Sequence, residues 1–176
     1  QFRTVNEWCM WLTVNPESGA QGGTTTAGTE KRVLEPFAQV FMAAQWEGTD
    51  PPNDKAHGRL VAREPVSGQI KWEKRYDILP HSPLLSTASG LLFHATYDGF
   101  LEAIDQDTGD VLWRFNVGSG TNGGIVSYAV NGKQYIGVAT GHGSYVGRAI
   151  VDGIYKDKFK PLGYKESRLV AAFALD

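Results

Sequence analysis

The chain has 176 residues, 41% of them apolar and 20% charged, which suits one packed domain and excludes wholesale disorder. Seventeen Lys and Arg against nineteen Asp and Glu leave a net charge of −2, so there is no electrostatic pull toward nucleic acid or an anionic membrane. Twenty-one Gly and eight Pro disfavour helix, and one Cys excludes an internal disulfide framework or a cysteine-based zinc site. No apolar run approaches the roughly 20 residues of a membrane helix, and Gln1 opens the chain without Met or a leader pattern. It therefore reads as a processed protein or a piece of a longer one.

Glu7-Trp-Cys-Met-Trp-Leu-Thr-Val14 is an aromatic, apolar run that reads as one buried strand. Asn15 to Arg32, small and polar, predicts a long surface loop. Phe37 to Ala44 is a second apolar run, and Gln45 to His57, broken by Pro51-Pro52, predicts another loop. From Gly58 short strand-like runs alternate with turn signals at Ser67-Gly68, Tyr97-Asp98-Gly99, Thr108-Gly109 and Asn131-Gly132. Ile125 to Val130 and Gln134 to Ala139 flank Asn131-Gly132, a pair that accepts the two positive φ angles of a type I′ hairpin turn. Ile150 to Tyr164 is mixed, with room for one helical turn, and Arg168 to Leu175 is a closing strand.

One stretch repeats. Gly58-Arg-Leu-Val-Ala-Arg-Glu-Pro-Val-Ser-Gly-Gln-Ile-Lys-Trp72 aligns with Gly99-Phe-Leu-Glu-Ala-Ile-Asp-Gln-Asp-Thr-Gly-Asp-Val-Leu-Trp113 at an offset of 41 residues. A period near 40 with several short strands per unit marks a β-propeller blade. The Asp-x-x-Thr-Gly turn calls for side-chain to backbone hydrogen bonds and a left-handed Gly. The two Trp residues read as packing between neighbouring blades. The fold class expected is all-β, with blade-like repeats around 58–98 and 99–140 and a closing strand at 168–175. Two matched units do not close a ring, so the chain should be an arc of a propeller that needs further polypeptide.

Ala103-Ile-Asp-Gln-Asp-Thr-Gly-Asp-Val-Leu-Trp113 resembles the tryptophan-docking motif of the PQQ-dependent quinoprotein alcohol dehydrogenases. Leu85-Ser-Thr-Ala-Ser-Gly-Leu-Leu-Phe93 is similar to the family's Leu-Ala-Thr-Ala-Gly-Gly-Leu-Val-Phe strand. Gly118-Ser-Gly-Thr-Asn-Gly-Gly124 and Gly132-Lys-Gln-Tyr-Ile-Gly-Val138 resemble the hairpin that follows. Asn6-Glu-Trp-Cys-Met10 matches an Asn-x-x-Cys-Met segment, and Phe173-Ala-Leu-Asp176 resembles the closing strand. The resemblance implies that residues 1–176 are the C-terminal blades of an eight-bladed propeller roughly three times this length.

It also implies PQQ on the propeller axis beside a calcium or lanthanide ion, hydride transfer from a small alcohol to the quinone, and an Asp as base. Electrons would pass to a c-type cytochrome in the periplasm. The metal ligands and the base would lie upstream of Gln1, on the N-terminal remainder of the same propeller. No catalytic or metal-binding residue is therefore expected here, and the chain alone should be inactive. The family's quinone-contacting Trp corresponds to the stretch Pro80-His81-Ser82-Pro83, shortened by one residue, and its cavity-lining Trp to Gly143-Ser144-Tyr145. His81, Ser144 and Tyr145 are thus the candidate cofactor contacts, with ordinary rim residues as the alternative. His94 and His142 read as structural, and no ligand spacing supports a metal site built from His81, His94 and His142. Cys9 is left open between a half-cystine whose mate precedes Gln1 and a buried free thiol. The mixed-sign runs Glu73-Lys74-Arg75 and Lys156 to Lys160 read as solvated faces. The rival to the enzyme is a non-catalytic propeller of the kind used as a scaffold by outer-membrane assembly lipoproteins.

Overall fold

A computed structural model describes residues 1–7, 9–14, 24–27, 30–33, 44–49, 57–80, 82–142, 155 and 168–174. The regular elements among the described residues are all strands. The first five are β1 (Phe2–Glu7), β2 (Cys9–Val14), β3 (Thr24–Ala27), β4 (Glu30–Val33) and β5 (Ala44–Thr49). The first repeat contains β6 (His57–Arg63) and β7 (Ile70–Tyr76). Next come β8 (Leu84–Ser86), β9 (Leu91–Ala95), β10 (Phe100–Asp105) and β11 (Val111–Asn116). The last three are β12 (Ile125–Val130), β13 (Lys133–Ala139) and β14 (Val170–Ala174).

Three antiparallel sheets form the body, in strand orders β1-β6-β7, β11-β10-β9-β8 and β12-β13-β14. Strand alternation aims successive side chains to opposite faces, and the middle sheet buries both. Leu92 and Ile104 pack with Leu60, Trp72 and Tyr76 of the first sheet. From the other face Phe93, Ala95, Leu101 and Ala103 pack with Ile125, Ile136 and Val138 of the third. Leu60, Leu92 and Ile104 have no exposed surface, and each such side chain contributes roughly 1.5–3 kcal/mol.

The 41-residue echo is a structural repeat. Ala62 pairs with Trp72 and Ala103 with Trp113, and in both hairpins the register shifts directly after the Ala. The turns are closed alike. Gly68 N donates to Glu64 O and Glu64 N to Gln69 O, just as Gly109 N donates to Asp105 O and Asp105 N to Asp110 O. The Asp105 carboxylate accepts from the backbone of Asp107 (2.8 Å) and Thr108 (3.0 Å). Those backbone donors hold its pKa below the usual carboxylate value. At Asn131-Gly132 the φ angles of 52° and 78° give the expected two-residue hairpin, with Val130 opposite Lys133.

Three expectations need correction. The run from Glu7 to Val14 is not one strand: β1 pairs with β6, whereas β2 pairs with β5, so the chain changes sheets. The stretch from Asn15 to Arg32 is not all loop, because Thr24–Ala27 pairs with Glu30–Val33. Its β-branched Thr run favours the pleated backbone despite the surrounding glycines. The loop expected from Gln45 begins instead as β5, held by β2 in a register that sets Cys9 opposite Thr49. The side chain of Cys9, the run at 37–43 and most of 150–164 lie outside the described residues.

The contact that fastens the first sheet to the second is Trp72 on the Asp105–Asp110 turn. The indole Nε1 donates to the Gln106 carbonyl at 2.9 Å, and the ring packs against Gly109. A Cβ built there would stand 2.8 Å from Trp72 Cδ2 and Cε3, and the Gly109 φ of +80° is itself left-handed. Gly68 shares the left-handed φ but has nothing within 4 Å of its missing Cβ. Gly68→Ala should therefore cost only backbone strain, about 1–2 kcal/mol. Gly109→Ala adds overpacking of about 1–3 kcal/mol, a difference that urea unfolding midpoints of the two variants will report.

Candidate functional site

The residues expected to face a ligand, His81, Ser144 and Tyr145, lie outside the described residues, but their neighbours converge on one turn. The Ser82 hydroxyl, one position past His81, donates to the Ala95 carbonyl at the end of β9. The following turn is closed by Thr96, whose Oγ1 accepts from Phe100 N at 3.1 Å. Tyr97, on the same turn, is 1% exposed and stacks on His142, with ring centroids 5.3 Å apart and planes 17° from parallel.

Gly120 passes beside this stack with no room for a side chain: a Cβ would lie 2.3 Å from the Tyr97 carbonyl oxygen and 2.6 Å from His142 Nε2. Thr121 and Gly141 form a parallel bridge, in which Gly141 N donates to Gly120 O (2.8 Å) and Asn122 N to Gly141 O (3.1 Å). Asn122 Nδ2 donates to the His142 carbonyl at 3.3 Å. The Thr121 hydroxyl is wholly buried, and no hydrogen-bond partner for it is present among the described residues. A buried hydroxyl left in that state costs about 1–3 kcal/mol, so this end of the sheets has polar capacity for a ligand or an ordered water.

A second polar group sits between the first and middle sheets and was not picked out from the sequence. Tyr76 Oη donates to Glu102 Oε2 at 2.7 Å, and Arg114 Nε lies 3.3 Å from Glu102 Oε1. His94 Nδ1 is 3.7 Å from the same carboxylate, too long for a strong hydrogen bond. The Arg114 guanidinium lies 3.6 Å over the Phe100 ring and 3.7 Å from Asp98. Tyr76, His94, Asp98, Glu102 and Arg114, together with Asp77, line a cleft of about 410 Å³.

Burial pushes the Glu102 carboxyl up, but His94, the Tyr76 hydroxyl and the Arg114 charge outweigh it and hold the pKa below the ordinary value. Burial first, then the Glu102 charge, raises the Tyr76 phenol, which stays protonated and donates. One signal was available: Glu102 occupies the place that Val61 holds in the first repeat, a charge among the buried Leu101, Ala103 and Ile104.

His94 and His142 are 0% and 3% exposed and engage different rings, Tyr76 and Tyr97. Of the mixed-sign run at 73–75, Glu73 pairs with Arg59 at 3.1 Å and Lys74 lies 5.9 Å over the Tyr76 ring.

Comparison with known proteins places these sheets. Residues 51–136, which span both Trp-bearing repeats, match PQQ, the glucose/ethanol/alcohol dehydrogenase β-propeller domain. The chain carries a domain of the PQQ β-propeller family. It is 39% identical to methanol dehydrogenase (cytochrome c) subunit 1 of Paracoccus denitrificans over 66% of this chain and 20% of that protein. It is 38% identical to quinoprotein ethanol dehydrogenase of Pseudomonas aeruginosa over 51% of this chain and 14% of that one. The solved structure of a europium-containing methanol dehydrogenase superposes with a TM-score of 0.70 at 25% identity, over 99% of this chain and 30% of its own. The chain thus spans about a fifth of the length of the methanol dehydrogenase subunit it matches. The all-β propeller expected from the repeat is the fold of this quinoprotein domain.

Because the Glu102 pKa is lowered on folding, its contribution to stability is fully present above the unfolded value of about 4.3 and is lost as pH falls through the folded value. Glu102→Gln should lower stability at pH 7 by roughly 1.5–3 kcal/mol, the worth of hydrogen bonds to a charged group. It should also flatten the acid limb of stability below about pH 4, which denaturant titrations at pH 7 and pH 3 will measure.

Proposed function

We propose that this chain supplies the C-terminal blades of an eight-bladed periplasmic quinoprotein that oxidises a small alcohol and hands the electrons to a c-type cytochrome. The observation that carries the reading is the superposition of 99% of the chain on a methanol dehydrogenase. The match of residues 51–136 to the PQQ propeller domain agrees with it. On this reading the remainder of the propeller, with the general base and the metal ligands, is polypeptide beyond these 176 residues.

The buried Thr121 hydroxyl and the polar turns bearing Ser82 and Asn122 fit a polar cofactor at this end of the sheets. Bound there, PQQ supplies the hydride acceptor for the alcohol carbon, and a calcium or lanthanide ion supplies Lewis acidity. His81, Ser144 and Tyr145 are assigned to hold and orient the quinone. His81 and Tyr145 each offer a planar ring together with a polar group that hydrogen-bonds oxygen.

The test is a dye-linked assay of short primary alcohols on the full-length polypeptide that carries this chain, loaded with PQQ and either calcium or lanthanum. We expect turnover dependent on both additions, and none from the 176-residue chain alone. His81→Ala should weaken quinone retention in the complete protein. Turnover by the isolated chain overturns the proposal. Failure of the complete protein to take up the quinone also overturns it and favours the non-catalytic propeller.

A further inference from the structure

We infer that Asn131-Gly132 is a self-modification site, at which the Asn131 side chain closes on the Gly132 backbone nitrogen, loses ammonia and reopens as aspartate or isoaspartate. The chain also contains Asn122-Gly123, so the dipeptide alone does not decide where this chemistry occurs. Its surroundings do. The site stands apart from the proposed function.

The Gly132 nitrogen attacks the carboxamide carbon of Asn131. A C–N bond forms, closing a cyclic imide, and the side-chain nitrogen departs as ammonia with the proton that Gly132 gives up. Water then opens the imide at either of its two carbonyls. One water is consumed, one ammonia is released, and nothing is oxidised or reduced. The step needs a backbone nitrogen free of hydrogen bonds, an unheld carboxamide, and a following residue without a Cβ to obstruct the approach.

The β12–β13 turn meets all three requirements. Asn131 and Gly132 are both exposed. Neither the Asn131 carboxamide nor the Gly132 N–H has a hydrogen-bond partner among the described residues. Nothing lies within 4 Å of the Cβ position on Gly132, so no neighbour obstructs the closing ring. Asn122-Gly123 is held on every side. The Asn122 carboxamide donates to the His142 carbonyl at 3.3 Å and its backbone N–H to the Gly141 carbonyl at 3.1 Å. A Cβ on Gly123 would stand 2.8 Å from the Ala139 carbonyl oxygen, which leaves that backbone no room to move.

The hairpin gives the two products different fates. Aspartate accepts the positive φ of 52° as asparagine does, so the turn survives with one added negative charge. Isoaspartate routes the backbone through the side-chain carbon. That lengthens a two-residue loop whose geometry sets Val130 opposite Lys133. The distortion falls on β12 and β13, whose Ile125, Ile136 and Val138 belong to the core shared with the middle sheet.

The experiment ages the folded full-length polypeptide at mildly alkaline pH, beside a sample unfolded in urea. Peptide mass and isoaspartate-specific methyl transfer follow each site. In the folded protein Asn131 should convert about tenfold faster than Asn122, the factor set by one further hydrogen bond to break. In urea the two rates should agree within about twofold, because a β-branched residue precedes each pair and the native contacts are gone. Asn131→Gly, which suits the same turn, should abolish conversion of its own peptide and leave the rate at Asn122 unchanged. Aged parent protein enriched in isoaspartate should unfold at a lower urea midpoint than Asn131→Asp. Equal rates at the two sites in the folded protein, conversion of Asn122 ahead of Asn131, or an Asn131 that converts only in urea each overturn the inference. An aged midpoint equal to that of Asn131→Asp overturns the fate assigned to the hairpin.

Discussion

The structure depends on a close contact between an indole and a glycine. Trp72 leaves the last strand of one sheet, lies on Gly109 in the next, and donates to the Gln106 carbonyl. The contact works because three constraints coincide. The turn between β10 and β11 needs a left-handed residue, the ring needs a surface without a Cβ, and the half-buried indole N–H needs an acceptor. Asp105 completes the arrangement by fixing the turn from inside through its two backbone hydrogen bonds. A single rigid turn thereby sets the spacing of two sheets, and the Leu60, Leu92 and Ile104 core fills the gap so defined.

The same constraint explains why the second Trp behaves differently. Trp113 meets Phe173 edge-on and Phe115 near-parallel, remains 39% exposed, and lines an apolar groove of about 580 Å³. Repeat architectures bury each unit against its neighbour, and the third sheet offers Trp113 the Phe173 ring where the middle sheet offers Trp72 a glycine turn. Beside this apolar fastening the first seam carries a polar one, the Tyr76–Glu102–Arg114 group, in which partners from β7 and β11 hold the Glu102 pKa below its ordinary value despite burial. The polar contact adds orientation to a seam that hydrophobic burial alone would leave free to slide.

Much of the fold was legible in the residues, because propeller blades are written in local code. Asp-x-x-Thr-Gly, Asn131-Gly132 and the alternation around Ala103 each specify their own conformation within a few positions, so the turns, the hairpin and the repeat followed directly. The misread stretches were hidden by their glycine and proline content. Ala44–Thr49 becomes a strand through Cys9–Val14, a partner distant in the chain, and such pairing overrides local composition. Thr24–Ala27 instead pairs with the adjacent Glu30–Val33 through its β-branched residues. The functional end was legible only in outline. His81, Ser144 and Tyr145 were named through kinship of motif, while nothing local announces that Tyr97 and His142, 45 positions apart in sequence, share one stack.

The sequence by itself therefore determined the all-β class, the 41-residue unit, the turn chemistry and the kinship with quinoprotein propellers, since each rests on residues close together in the chain. Only the tertiary structure decided which sheet β2 joins, that Glu102 is a buried anion fastened across a seam, and that the segments beside the candidate cofactor contacts meet at Ala95–Tyr97. Those outcomes depend on side chains brought together by sheet stacking, and stacking is a property of complementary surfaces that no run of neighbouring residues encodes.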